Sequence, residues 1–342
     1  MNAIVADDSG FIRGVLSDIL EKDGIKVVAE AKNGRDAVEK VQEHQPDVVT
    51  MDVEMPEMDG IEAVGEIIDK EPTPVVMFSA HTEEGSEKTF EALDKGAVDF
   101  IPKPSGDSPG ISAISDEITE TVRASAEATP EAKNGAVEVV PEDFGELDAE
   151  GVVVIVGAST GGPAVVESVV GDLDPESGIR VVVVQHMPEL FTERFAERLD
   201  ENTDFDFSIG SGGGRFGPGE GMVAPGNGHL IFTGHSDRRT KFEIDTEKEV
   251  NNVKPSITET LKSAARFVED DAYAVILTGM GSDGERGADR LKRKGGTVIA
   301  QEEESCAIYG IPQAVVEGGY ADTVAPPDEI PGELFDHIKE GS

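Results

Sequence analysis

The sequence predicts an α/β protein made of two doubly wound parallel-sheet domains, the second carrying an antiparallel edge element. Three observations carry that prediction. Short apolar runs alternate with segments whose apolar residues recur at helical spacing, which is the rhythm of consecutive βα units. Several of those runs are continuous rather than alternating, as strands buried on both faces require. A segment at 126–150 loses the rhythm and divides the chain, whose 342 residues suit two domains of ordinary size better than three.

In chain order, Ala3-Ile4-Val5-Ala6, Asp47-Val48-Val49-Thr50-Met51, Pro74-Val75-Val76-Met77-Phe78 and Ala97-Val98-Asp99-Phe100-Ile101 read as short buried strands. The intervening segments 10–21, 34–44, 58–70 and 84–95 have helical periodicity, and 111–125 adds a further amphipathic stretch. The first domain is therefore placed at 1–125. Glu127, Pro130, Glu131, Asn134, Gly135, Pro141, Glu142 and Asp143 make 126–150 an acidic linker, although Val137, Val139, Val140 and Phe144 give it apolar points for docking. The second domain, 151–342, opens on the run Val152 to Val156 and continues with Val181 to Val184 and Ala274 to Leu277, each ending in a polar or glycine-rich turn. Alternation in Asp204 to Ile209 and Arg239 to Ile244 predicts antiparallel strands or a hairpin at a sheet edge.

Composition narrows the function classes. Lys and Arg number 29 against 70 Asp and Glu, a formal net charge of −41, so phosphate backbones and anionic lipid surfaces are repelled and nucleic acid is not an expected partner. The single cysteine, Cys306, excludes an intramolecular disulfide framework and fits a reducing compartment. The start, Met1 to Asp8, has neither a basic region nor a long apolar stretch, so a cytoplasmic protein without membrane insertion is expected. An acidic surplus spread over helices and linker suggests adaptation to high salt, where a Debye length of roughly 3 Å at 1 M screens self-repulsion.

Asp7 and Asp8 follow the first predicted strand, Asp52 the strand at 47–51, Ser79 that at 74–78 and Lys103 that at 97–101. Carboxyl ends of parallel strands share one edge of a doubly wound sheet, so these five converge. Three carboxylates suit a hard divalent ion such as Mg²⁺, and Asp52 is placed to act as a nucleophile toward a phosphoryl group. Acidic strand ends are also common in so acidic a chain, and Asp7-Asp8 alone decides nothing. With Val5-Ala6-Asp7-Asp8-Ser9, Met51-Asp52-Val53-Glu54-Met55-Pro56-Glu57-Met58-Asp59-Gly60, Ser79 and Gly96-Ala97-Val98-Asp99-Phe100-Ile101-Pro102-Lys103-Pro104 together, the segment resembles the receiver domains of two-component response regulators. That resemblance implies a flavodoxin-like fold with Asp52 as phosphoacceptor. It also implies Mg²⁺ held by Asp7, Asp8, Asp52 and the Glu54 carbonyl, and Ser79 and Phe100 as switch positions. Lys103 is then the phosphate-contacting base, its bond to Pro104 often cis, and the phosphodonor is a chemotaxis histidine kinase.

In the second domain Gly157-Ala158-Ser159-Thr160-Gly161-Gly162 follows a buried strand and precedes helical periodicity near 163–170. It matches G-x-S-x-G, in which a tight turn presents a serine at the sheet edge, but glycine-rich turns of this kind also hold phosphates. Gln185-His186-Met187-Pro188 and Gly279-Met280-Gly281-Ser282-Asp283-Gly284 follow two further strands on the same edge. His186 can then take the Ser159 proton, Asp283 can orient the imidazole, and the Thr160 and Met280 N–H groups can bind an oxyanion. Residues 151 to about 340 resemble the catalytic domain of chemotaxis protein-glutamate methylesterases, which also deamidate receptor glutamines. Further matches are Phe191 to Leu199, Ala224 to Leu230, Val253-Lys254-Pro255-Ser256 and Gly296 to Gln301. Ile311-Pro312 stands where the family commonly has Met-Pro, and Cys306-Ala307-Ile308 replaces a more aliphatic stretch. The resemblance implies a Rossmann-like catalytic domain without a cofactor of its own, acting on methyl-accepting chemoreceptors.

His229 reads as a structural cap in a glycine-rich turn, and His44, His81, His235 and His337 as surface residues. Gly210 to Arg215 reads as a mobile loop. The leading expectation is a phosphorylation-controlled esterase and amidase; a nucleotide-binding second domain and a passive docking module are the alternatives. The strand after the Gly157 turn ends in Gln185-His186 and not in an acidic residue that could hold a ribose, which counts against the nucleotide. Lowering salt to about 0.1 M lengthens the Debye length to roughly 10 Å, so thermal melting should shift to lower temperature than in multi-molar salt. An equal or higher melting temperature at low salt contradicts the salt adaptation.

Overall fold

In the computed structural model the described residues are 1–80, 82–103, 111–128, 149, 151–236, 239–247, 250, 253–268 and 271–341. They form two compact units, Met1–Val137 and Glu138–Ser342. The bulk of the expected linker, and the Lys103–Pro104 bond, lie outside the described residues.

The first unit runs β1 (Asn2–Ala6), α1 (Gly10–Lys22), β2 (Lys26–Ala31), α2 (Gly34–His44), β3 (Val48–Asp52), α3 (Gly60–Lys70), β4 (Val75–Ala80), α4 (Glu83–Asp94), β5 (Asp99–Lys103), a 3₁₀ turn (Ile111–Ile114) and α5 (Ser115–Ser125). Its five strands lie in the order β2-β1-β3-β4-β5, all parallel. Sequence order reverses between β1 and β3, which opens a crevice at their carboxyl ends. Val5, Leu16, Leu20, Val48, Val76, Phe78, Ile118 and Val122 fill one face of the sheet. The edge strand β2 is absent from the predicted series because Lys26 and Glu30 are exposed and break its apolar pattern. Helix α3 starts at Gly60 rather than 58, because Asp59 caps it in a reciprocal box with Glu62.

The second unit contains β6 (Val153–Ala158), α6 (Gly162–Gly171), a 3₁₀ turn (Pro175–Ser177), β7 (Arg180–Gln185), α7 (Glu189–Asn202), β8 (Asp206–Ile209), β9 (Gly214–Phe216), β10 (Glu220–Val223), β11 (His229–Gly234) and β12 (Thr240–Asp245). It continues with α8 (Ile257–Phe267), β13 (Ala272–Ile276), α9 (Glu285–Lys292), β14 (Thr297–Gln301), α10 (Ile311–Glu317), β15 (Thr323–Ala325) and α11 (Ile330–Gly341). Seven strands form a parallel sheet, β15-β14-β13-β6-β7-β10-β8, with β6 at its centre. The chain builds outward from β6 on one side and returns to β13 on the other. The switch point therefore lies at the carboxyl end of β6.

The two alternating segments have different fates. Thr240–Asp245 is antiparallel, as expected, in a separate three-stranded sheet β11-β12-β9. Asp206–Ile209 instead pairs parallel with β10 at the edge of the main sheet. Alternation reports one buried and one solvated face, here Phe207 buried between exposed Asp206 and Ser208, and an edge strand shows it whatever its direction. The expected 210–215 loop ends early, since Gly214 and Arg215 enter β9. Among the described residues no helix is long and apolar enough to cross a membrane.

Candidate functional site

Each unit carries a polar cluster at its switch point. In the first, Asp7 and Asp52 are buried and Asp8 is exposed, with carboxylate oxygens of all three within 4.8 Å of one another. Lys103 Nζ reaches Asp7 Oδ2 at 3.1 Å and Asp52 Oδ1 at 2.7 Å. Arg13 donates to the Asp7 and Asp8 carbonyls at 2.8 and 3.2 Å, and the Ser9 N–H donates to Asp7 Oδ1 at 2.8 Å, so the acidic turn is braced by the start of α1. Gly60 is required beside Asp52: a Cβ there would lie 2.0 Å from the Asp52 carbonyl oxygen.

Burial disfavours the Asp52 carboxylate and the nearby Asp7 charge adds to that effect. Lys103 and the Glu54 N–H oppose them, and the net result raises its pKa to about 6. The Glu54 side chain turns to Lys88 at 2.5 Å, leaving only its backbone to the cluster. Ser79 follows Phe78, the β4 residue opposite Asp52 in the ladder, and its hydroxyl is engaged by α4. Its hydroxyl lies 2.6 Å from Thr89 Oγ1, and both hydroxyls lie within 3.0 Å of the Gly85 carbonyl in α4. Phe100 is buried on β5.

In the second unit the ladder itself places the polar residues. The Ser159 N–H donates to the Thr278 carbonyl at 3.0 Å and the His186 N–H to the Ala158 carbonyl at 3.0 Å, so the strands on both sides of β6 bring their terminal residues next to Ser159. Two glycines permit the turn: Gly161 has φ +73°, and a Cβ on Gly162 would lie 2.3 Å from Gln185 Oε1. His186 Nε2 lies 2.9 Å from Asp283 Oδ2. With Nε2–H donated to the carboxylate, Nδ1 is left as the acceptor. Among the described residues the Ser159 hydroxyl is not hydrogen-bonded to His186, a contact that commonly tightens only with substrate bound.

The Asp283 carboxylate accepts five hydrogen bonds from protein donors, the His186 contact included. Oδ2 also accepts the Ile257 N–H at 2.7 Å, while Oδ1 accepts from Ser256 Oγ, the Thr258 N–H and the Gly284 N–H at 3.0 to 3.1 Å. The first turn of α8 therefore holds the carboxylate in place. Burial favours the neutral acid, but the His186 hydrogen bond and charge, with the donors at Thr258 and Ile257, hold Asp283 well below the usual carboxylate range.

Comparison with known proteins locates both clusters in recognised domains. Residues 154–334 match the family model for the CheB methylesterase, and residues 3–115 that for the response regulator receiver domain. A protein-glutamate methylesterase/protein-glutamine glutaminase of Natronomonas pharaonis is 46% identical over 98% of this chain and 97% of its own length.

The chain belongs to the CheB methylesterase family.

A relative of the same name from Thermotoga maritima is 41% identical, covering 99% of this chain and 98% of the relative. The crystal structure of the Thermotoga maritima CheB methylesterase catalytic domain is 39% identical, with a TM-score of 0.52, covering 54% of this chain and 97% of that one.

The remaining histidines sort by environment. His44 is exposed, and His81 lies outside the described residues. His229 is fully buried at the start of β11, opposite Asp245. His235 and His337 are not the surface residues the sequence suggested: the His235 ring is buried, 3.0 Å from Thr240 Oγ1, and His337 is half-buried, 2.8 Å from Thr323 Oγ1. Polar neighbours in the sequence became packing partners. The Cys306 thiol, partly buried and flanked by Glu302 and Glu303, is pushed up to about 12.

Sequence reasoning missed Ser256 and Thr258 around Asp283, Gln185 and Thr278 behind the serine turn, and Thr89 beside Ser79. Gln185 and Thr278 stand at strand ends, whereas Ser256, Thr258 and Thr89 lie in segments that no strand-end rule singles out.

The raised Asp52 pKa has a signed consequence for stability without a divalent cation. Unfolded aspartate ionises near 3.8 and native Asp52 at about 6, so the native state holds more protons between those values. Stability then falls as pH rises through that window and stays lower above it. Asp52→Asn should raise the melting temperature of the first unit in chelator at pH 7.5, with the gain vanishing near pH 4. A gain that persists unchanged at pH 4 rules out this origin.

Proposed function

We propose that this protein is a phosphorylation-activated hydrolase of chemotaxis adaptation, demethylating glutamate methyl esters and deamidating glutamines on chemoreceptor cytoplasmic helices. The observation that carries the catalytic part is the 2.9 Å His186–Asp283 contact at the end of the strand flanking Ser159, with Asp283 fixed by four further donors. Ser159 attacks the side-chain carbonyl while His186 Nδ1 takes its proton. The same imidazolium returns the proton to the leaving group, releasing methanol from an ester or ammonia from an amide. Water, deprotonated by His186, then hydrolyses the acyl-enzyme to glutamate. Asp283 keeps Nε2 protonated and stabilises the imidazolium. The Thr160 and Met280 N–H groups are the oxyanion donors; among the described residues neither donates to another acceptor.

The receiver unit supplies control. The oxygen-only set of Asp7, Asp8 and Asp52 with the Glu54 carbonyl suits Mg²⁺, which when bound neutralises charge around an incoming phosphoryl group. Asp52 is the phosphoacceptor and Lys103, already bridging Asp7 and Asp52, is the phosphate-contacting base. Release of the Ser79 hydroxyl from Gly85 and Thr89 toward a phosphoryl oxygen, with Phe100 repacking, constitutes the switch. A cytoplasmic histidine kinase of the chemotaxis system is the phosphodonor. The working boundaries are receiver 1–125, linker 126–150 and catalytic domain 151–342.

Methanol release from methylated receptor cytoplasmic fragments at high salt tests this reading. Ser159→Ala should abolish turnover with the fold intact, and wild-type methanol release from that variant would end the triad assignment. Asp283→Asn should reduce turnover less than Ser159→Ala but lower the melting temperature, because its amide NH₂ would face the N–H groups at the start of α8. Removing residues 1–148 should raise basal activity above that of the unphosphorylated whole, by about 5- to 150-fold for a 1–3 kcal/mol bias. A slower truncated protein would show that the receiver assists rather than restrains.

A further inference from the structure

The turn that presents Ser159 is held from behind by Gln185, a buried side chain with no role in the triad. Gln185 Nε2 donates to the Ser159 carbonyl at 2.8 Å, and the Gly162 N–H donates to the same oxygen at 2.8 Å. That carbonyl and the Thr160 N–H belong to one trans peptide, so they point in opposite directions. Fixing the oxygen inward therefore turns the Thr160 N–H outward. The second oxyanion donor is set by the same device. The Gly279 carbonyl accepts the N–H groups of Gly310 and Ile311 at 3.1 and 2.8 Å, which directs the Met280 N–H of that peptide the other way.

Gln185 is the one side chain among the described residues that donates to either of these two carbonyls. It is 2% exposed, and its own Oε1 has no hydrogen-bond partner among the described residues. A buried, unpaired carbonyl oxygen is costly, and an apolar side chain of the same length would avoid that cost. Stability of the fold alone does not account for the residue. Close approach of Gly162 to Oε1 further shows that the turn is fitted around this amide.

We propose that Gln185 is a positioning residue that preforms the oxyanion hole by anchoring the Ser159–Thr160 peptide. The proposal rests on the Ser159 mechanism above and adds to it the origin of the donor geometry. Without the anchor, the peptide is held only by the Gly162 N–H, and its rotation removes a donor from the developing oxyanion without touching the base.

The full-length protein with phosphodonor, assayed on methylated receptor fragment, tests the idea with Gln185→Met and Gln185→Glu. Gln185→Met keeps the side-chain length and removes the donor. Gln185→Glu replaces the donor by a group that repels the Ser159 carbonyl. The Met variant should lose about 10- to 100-fold in kcat, with KM within about threefold and a melting temperature near that of the wild type. The Glu variant should lose more. In the Met variant the pH midpoint of kcat/KM should stay where it is, because Gln185 meets His186 at its backbone carbonyl, 3.3 Å from Gln185 Nε2, and leaves the imidazole–Asp283 contact in place, whereas Asp283→Asn should move it. A folded Met variant with kcat within twofold of wild type overturns the proposal, as does a loss carried by KM or a displaced midpoint. Failure of both variants to fold would mark Gln185 as a structural residue and overturn it too. Wild-type turnover by Ser159→Ala would instead refute the underlying mechanism, so the two failures are separable.

Discussion

A strand in the middle of a parallel sheet has both faces covered, so its side chains between the ends are committed to packing. Reactive groups are confined to the residues just past its carboxyl end. That constraint shapes both units. β1 and β3 deliver Asp7 and Asp52, β6 delivers Ser159, and the ladder bonds from Ala158 and Thr278 carry the register one step past the last strand residues. Residues far apart in sequence meet because the sheet leaves them no other place to be polar.

The two units handle a buried carboxylate in opposite ways. Asp283 receives five donors, and its negative charge is held so firmly that the imidazole beside it has a fixed anion to lean on. Asp52 shares Lys103 with Asp7, and burial, with the Asp7 charge adding to it, outweighs that cation and pushes its ionisation up to about 6. A satisfied carboxylate orients; an under-compensated one is primed to accept positive charge. The difference lies in the number of donors around each, not in depth, since both are less than a tenth exposed.

Continuous apolar runs and their polar or glycine-rich ends made the parallel, doubly wound class of each unit, and most of both clusters, legible in the sequence. Asp52 directly follows such a run, and His186, Lys103 and Ser159 come within three residues of the end of one. Residues that act from elsewhere were not legible. Ser256 and Thr258 reach Asp283 from the N-terminus of a helix some 25 positions upstream, a relation visible only once α8 is packed across β6 and β13. Gln185 sat inside a recognised motif, yet its direction toward the Ser159 carbonyl depends on how the turn closes around Gly162. The strand β8 misled for a related reason: alternation records which face is wet and says nothing about the direction of its neighbour.

The environment of Cys306 has a practical corollary. With its ionisation pushed to about 12, the thiol stays protonated at neutral pH, and a protonated thiol is a poor nucleophile. The chain's sole sulfhydryl is thus chemically quiet, slow toward alkylating reagents and toward peroxide alike. Electrophiles that discriminate poorly between sulfur and oxygen therefore meet little competition from it at neutral pH.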